Sequence, residues 1–221
     1  SADAWAVMDM EAYNSSFVGD SAYVASAEAP TGADNARYGL AEAARGNDAS
    51  KYIGSLGTLD LTGSYAIYTI PYLLLAYDAY PSGVVSGFSN TRDTLVTAMV
   101  GYLNGLSANY AGVDEVAPIL AALAKYYTAP AYSSSLGITE ANYNAVRKAV
   151  AAGITWLSEQ QNDSGSWSYY GTSNADSTAL AVVALSALGS DAHTDTHFIK
   201  NYNSAVEGLM SFALADNSGF G

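Results

Sequence analysis

Between Ala149 and Gly189 two apolar segments of helical period flank one short polar turn, and that turn dictates how they can pack. The first segment ends Trp156-Leu157-Ser158-Glu159-Gln160-Gln161. The turn reads Asn162-Asp163-Ser164-Gly165-Ser166-Trp167, and the second helix opens Asn174-Ala175-Asp176-Ser177-Thr178-Ala179-Leu180-Ala181. Gly165 permits a tight reversal with positive φ after a helix end. Trp167 is a large apolar plug beside that reversal. The Gln161 amide can satisfy backbone groups left open where one helix stops and the next begins.

The helix start recurs along the chain. Asp34-Asn35-Ala36-Arg37 precedes Ala41-Glu42-Ala43-Ala44, and Asp114-Glu115-Val116-Ala117 precedes Ala121-Ala122-Leu123-Ala124. Asp3-Ala4-Trp5-Ala6-Val7-Met8 is a fainter copy, and Ser64-Tyr65-Ala66-Ile67-Tyr68 is a copy without the Asp. Each begins with a small polar or acidic residue, as helix starts favour, and runs nearly all-apolar, which implies burial on most sides. Helices of another character lie between: Asn90 to Leu106, Asn142 to Gln161 and Asn203 to Leu214, with Phe17 to Ala29 and Ala49 to Leu56 as weaker members. In the second of these, Val146, Val150, Ile154 and Leu157 form a single stripe at helical spacing. All-apolar helices alternating with amphipathic ones predict an inner and an outer ring. The expected fold is all-α, with about five helix pairs in units of about 30 to 60 residues. Strand signal is thin.

The Gln161-x-x-x-Gly165-x-Trp167 turn and the helix start after it resemble the repeat of the squalene-cyclase and prenyltransferase superfamily. The resemblance implies an α/α toroid in which this turn joins an outer helix to an inner one. In class II terpene cyclases of that superfamily the inner helix carries Asp-x-Asp-Asp-Thr-Ala, with the middle Asp as catalytic acid. Here the same stretch is Asn174-Ala175-Asp176-Ser177-Thr178-Ala179. Asp176, Thr178 and Ala179 match, while Asn174 and Ser177 stand in place of the flanking carboxylates. Tyr72 to Ala79 and Phe198 to Asn201 resemble toroid domains of large bacterial surface proteins. Ala215-Asp216-Asn217-Ser218-Gly219-Phe220 reads as a decayed copy of the turn, without the Gln. The count of pairs fits an incomplete six-pair barrel, with residues 1–221 as a single toroid domain and a fragment of a longer chain. An open ring would leave an apolar edge available for association.

Composition removes several function classes. Net charge is −13 with only 8 Lys and Arg, so nucleic acid and anionic membrane surfaces are poor partners. No apolar run has the length of a membrane span. The absence of cysteine excludes disulfides, thiolate catalysis and the Cys-containing zinc site of protein prenyltransferases. The 18 Tyr and the low Lys content suit a bacterial extracellular or surface protein. No phosphate-binding loop, dinucleotide fingerprint or Gly-x-Ser-x-Gly elbow is present, so no cofactor is expected.

The candidate functional residues follow from the repeat. A carboxylate near an inner-helix N-terminus faces the mouth of a toroid, which singles out Asp34, Asp114 with Glu115, and Asp176. A cyclase needs Asp176 protonated, yet the helix dipole favours its ionised form. A pair drawn from Asp34, Asp114, Glu115 and Asp176 could instead cleave a glycosidic bond. Repetition at matching sites argues for capping, because catalysis needs one unique pair. Tyr65, Tyr68 and Tyr72, read as one helix face, join Tyr169 and Tyr170 as aromatics suited to sugars or flat ligands. Ordinary core packing is the competing reading. Gln161, Gly165 and Trp167 are structural. His193-Thr194-Asp195-Thr196-His197 offers a weak zinc alternative through His193 and His197, without a further ligand in sight. The expected function is a non-catalytic module binding a small molecule, glycan or protein through Asp34, Tyr65, Tyr68, Asp114, Tyr169 and Asp176. Terpene cyclase or glycan-cleaving activity and a purely structural spacer are the alternatives. Cobalamin carriers use a related toroid for binding alone.

Overall fold

A computed structural model describes residues 34–63, 66–106, 111–216 and 219–220. The helices expected at Asp3–Met8 and Phe17–Ala29, and the candidate Tyr65, lie outside the described residues. Those described form eight α-helices and two small two-stranded sheets, so the chain is mostly helical as expected. It divides into two compact units, residues 1–95 and 96–221.

In the first unit α1 (Asp34–Ala44) packs against both α2 (Ser50–Leu56) and α3 (Ile70–Ala79). Its core is built from Ala36, Ala41, Ile53, Leu56, Leu73, Leu74 and Tyr77, all fully buried. The helix expected from Ser64 starts later. Ala66–Tyr68 is one 3-10 turn, and α3 begins at Ile70 with Pro71 in its first turn. Proline fits that turn because its missing N–H has no helical acceptor there, whereas deeper in a helix it would break a bond. Tyr68 and Tyr72 therefore do not share a helix face.

α4 (Arg92–Asn104) follows, and Arg92 is anchored by Asp78 at 2.8 Å and by the Tyr77 carbonyl.

The second unit repeats the packing scheme of the first. α5 (Val113–Thr128) packs against both α6 (Glu140–Glu159) and α7 (Ala175–Ala187). α5 is buried nearly all round, from Val116 and Ala117 to Leu123 and Tyr126. α6 buries one stripe, Tyr143, Val146, Ala149, Val150, Gly153 and Leu157, and turns its other side outward. Ile154, expected in that stripe, is only half buried. Thr139 caps α6 through its hydroxyl, which accepts from Asn142 N–H at 3.3 Å. Asn174 caps α7 in the same way, accepting from Ser177 N–H at 2.9 Å.

The turn between α6 and α7 contains a hairpin that the sequence reading did not anticipate. β1 (Trp167–Tyr169) pairs antiparallel with β2 (Thr172–Asn174), with Trp167 opposite Asn174. A second hairpin, β3 (Ile199–Lys200) with β4 (Asn203–Ser204), precedes the short α8 (Ala205–Met210). Both have two-residue loops with positive φ, at Tyr170-Gly171 (46° and 83°) and Asn201-Tyr202 (45° and 68°). Paired positive φ is the geometry whose twist matches the flanking strands. The outer helix expected over Asn203–Leu214 is thus shorter, because β4 takes its first residues. Ser204 and Glu207 close a reciprocal capping box at its start, 3.2 and 2.7 Å. The supposed decayed turn is closed by Leu214 N–H on the Gly219 carbonyl at 2.8 Å, and Phe220 is half exposed rather than a plug.

Candidate functional site

The Gln161–Trp167 turn shows why those residue types stand at that spacing. The Trp167 side chain is fully buried, and its indole N–H donates to the Leu157 carbonyl at the end of α6, 2.8 Å. The Gln161 amide donates to the carbonyls of Gly165 and Phe198, both at 2.9 Å. One side chain thus closes its own turn and ties down the segment before β3. Phe198 is buried against Trp167, with ring centroids 6.2 Å apart, so the roots of the two hairpins touch. Gly165 has φ 82°, and a Cβ there would lie 2.2 Å from the Ser204 carbonyl oxygen. Only glycine permits both the reversal and that approach.

The start of α7 is equally specific. Thr178 accepts a hydrogen bond from Trp167 N–H at 3.0 Å and donates to the Asn174 carbonyl at 2.7 Å. Ser177, fully buried, donates its hydroxyl to the Asp114 carboxylate at 2.6 Å. This bond sets the first turns of α5 and α7 side by side. Asn174 and Ser177 therefore hold helix starts together, Asn174 as cap and Ser177 as the strut to Asp114.

Asp114 lies within a small polar and aromatic group. Glu115 accepts from Gly112 N–H at 2.9 Å, capping α5. Pro118 cannot donate to the main-chain carbonyl of Asp114, four residues earlier. β1 packs on the α5 and α7 helices and carries Tyr169 to this end. Tyr169 is half exposed and meets Tyr170 edge-on at 4.4 Å between centroids. The neighbouring Tyr170 chiefly, then partial desolvation, with a last contribution from the negative charge of Asp114 and Glu115, raises the Tyr169 phenol above its ordinary value of 10.0. Burial, helped by Glu115, pushes Tyr102 on α4 up to about 12. Glu115, Asp114, Ser177, Tyr169 and Tyr170 thus gather at one end of the 96–221 unit, and Tyr102 feels the charge of Glu115.

The other expected site residues fall differently. Asp176 is exposed on the first turn of α7, beside the buried Ser177 and Thr178. Asp34 belongs to the 1–95 unit, where its carboxylate takes the guanidinium of Arg37 one turn along α1. Tyr68 is 45% exposed on the 3-10 turn before α3. His197 bonds Asp195 through Nδ1 at 2.9 Å, while the His193 ring faces the Ser204 hydroxyl at 3.3 Å. The two imidazoles thus serve different partners, and the described residues hold no cluster of three or more potential metal ligands.

Sequence reasoning missed Tyr102, which sits in α4 and carries no motif. Tyr170, named among the candidate aromatics, is 91% exposed and occupies a left-handed position that a non-glycine residue rarely takes.

No family model matches the chain, and neither a curated protein nor a solved structure matches it.

Proposed function

We propose that this chain is a non-catalytic binding module of a bacterial extracellular or surface protein, built from helix pairs of the α/α-toroid type. The packing of each first helix on the next two, in each unit separately, supports the inner and outer alternation. Its ligand-binding face is the end formed by the first turns of α5 and α7 and the β1–β2 hairpin. The observation that carries this reading is the fate of the helix-start residues. Asn174, Ser177, Thr178 and Asp114 are engaged in holding the fold, while Tyr169 and Tyr170 are offered to solvent beside carboxylates. Exposed aromatic rings next to hydrogen-bonding groups suit a glycan or protein partner.

Among the four candidate acids, Asp114 is bonded to Ser177, Glu115 to Gly112 N–H and Asp34 to Arg37, so the enzyme reading rests chiefly on Asp176. A spacer is the stronger competitor, because the same internal bonds are what a purely structural repeat requires. Binding to arrayed glycans and peptides separates the three. The module should give a signal that Tyr170→Ala abolishes and Asp176→Asn leaves intact. Loss in Asp176→Asn with retention in Tyr170→Ala would overturn the assignment, and silence on every array would favour the spacer.

A further inference from the structure

A concave surface lies between the C-terminal end of α4 and the outward side of the last turns of α6. This open groove has a volume of about 620 Å³, and its lining includes Leu103, Asn104, Leu106, Trp156, Glu159 and Gln160. That volume is within the range of small-molecule sites. Trp156, Glu159 and Gln160 share one side of α6 through i, i+3 and i+4 spacing. Trp156 is half buried, whereas Asn104, Glu159 and Gln160 are exposed.

We propose that this groove is a binding site for a neutral saccharide. Three features of the lining select that class. The half-buried Trp156 indole, with exposed Ala152 and Thr155 beside it over the buried Leu103 and Leu106, provides apolar surface for the C–H faces of a sugar ring. Two carboxamides and a carboxylate supply both donors and acceptors, which vicinal hydroxyls need. Among the described residues of the lining the only charged group is Glu159, so phosphate, sulfate and carboxylate ligands are repelled. A wholly apolar ligand would leave these polar groups desolvated and unpaired, at a cost. The groove shares no lining residue with the hairpin face, and the inference goes beyond the function proposed for that face.

The test is titration of the ¹⁵N-labelled chain with maltotriose, cellotriose and chitotriose, following the Trp156 indole resonance. At least one should shift it saturably. Trp156→Ala should weaken that sugar at least about tenfold, the effect of losing a central aromatic contact. Trp156→Phe should restore part of the affinity, and Glu159→Gln should preserve a neutral ligand. Because Trp156 is only half buried, the Ala variant should keep the far-ultraviolet circular dichroism of the parent, and the indole shift in the parent is informative without it. Tyr170→Ala should leave this binding unchanged whatever becomes of the hairpin face. The proposal is overturned if none of the sugars shifts the resonance. It is equally overturned if binding survives in Trp156→Ala, is lost in Tyr170→Ala, or is displaced by a linear fatty acid.

Discussion

Gly165 and Gly171 form a natural matched pair. Their φ angles are 82° and 83°, but their surroundings differ. A Cβ on Gly171 meets nothing within 4 Å, whereas one on Gly165 lies 2.2 Å from the Ser204 carbonyl oxygen and 3.2 Å from the Asn203 Cβ. Gly171→Ala should cost only the left-handed backbone penalty of an L-residue, about 1–2 kcal/mol. Gly165→Ala carries the same penalty and also forces β4 off the turn, which adds about 1–3 kcal/mol as overpacking. The obstacle is backbone, so no side-chain rotation can relieve it. Urea denaturation followed by circular dichroism reads the gap. With slopes of about 1–3 kcal/mol/M, the Gly165 variant should unfold at a midpoint lower than the Gly171 variant by roughly 1 M. Equal midpoints would refute the reasoning, because the β3–β4 hairpin would then not be seated against this turn. Gly208→Ala provides a check from the other side, since its Cβ would lie 2.3 Å from the Gly165 carbonyl carbon.

Three further outcomes follow from the same geometry. Trp167→Ala should destabilise by about 3–5 kcal/mol, the cost of truncating a fully buried aromatic, measured by the same denaturation. Thr178→Val should cost about 1–3 kcal/mol by stranding the buried Trp167 N–H, whereas Thr178→Ser keeps the hydroxyl and should fall well short of that. Asp195 is held below its ordinary 3.8 mainly by the Ser190 hydroxyl. Its folded value is lower than its unfolded one, so its stabilisation is present above 3.8 and fades as the pH falls through the folded value. Acid denaturation of the Asp195→Asn variant should lack that component, and an unchanged acid limb would contradict it.

The helix pairs and the Gln161–Trp167 turn could be read from sequence because their signals are local. A 3.6-residue apolar period and a glycine at a reversal each leave a mark at fixed spacing. The hairpins left none. Ser168-Tyr169-Tyr170-Gly171-Thr172-Ser173 lacks the alternation of apolar and polar residues that marks a half-buried strand, and its loop has Tyr where Asn or Gly is usual. The hairpin is held instead at its root, by Thr178 and by the packing of Trp167 on Phe198, which are contacts across the chain. Ser177 was obscured for another reason. Set against a catalytic motif it reads as a lost carboxylate, and only its 2.6 Å bond to Asp114, 63 residues earlier, shows what a hydroxyl does there. Tyr68 and Tyr72 failed to align because Pro71 fixes a later helix start.

The central claim is that the α7 helix start serves architecture and not chemistry. The most direct test is incubation of the purified chain with linear isoprenoids, squalene and geranylgeranyl diphosphate, and with the neutral oligosaccharides, followed by mass spectrometry of the mixture. The account predicts unaltered substrates in both the parent and Asp176→Asn. A cyclised or hydrolysed product that the parent forms and Asp176→Asn does not would contradict it.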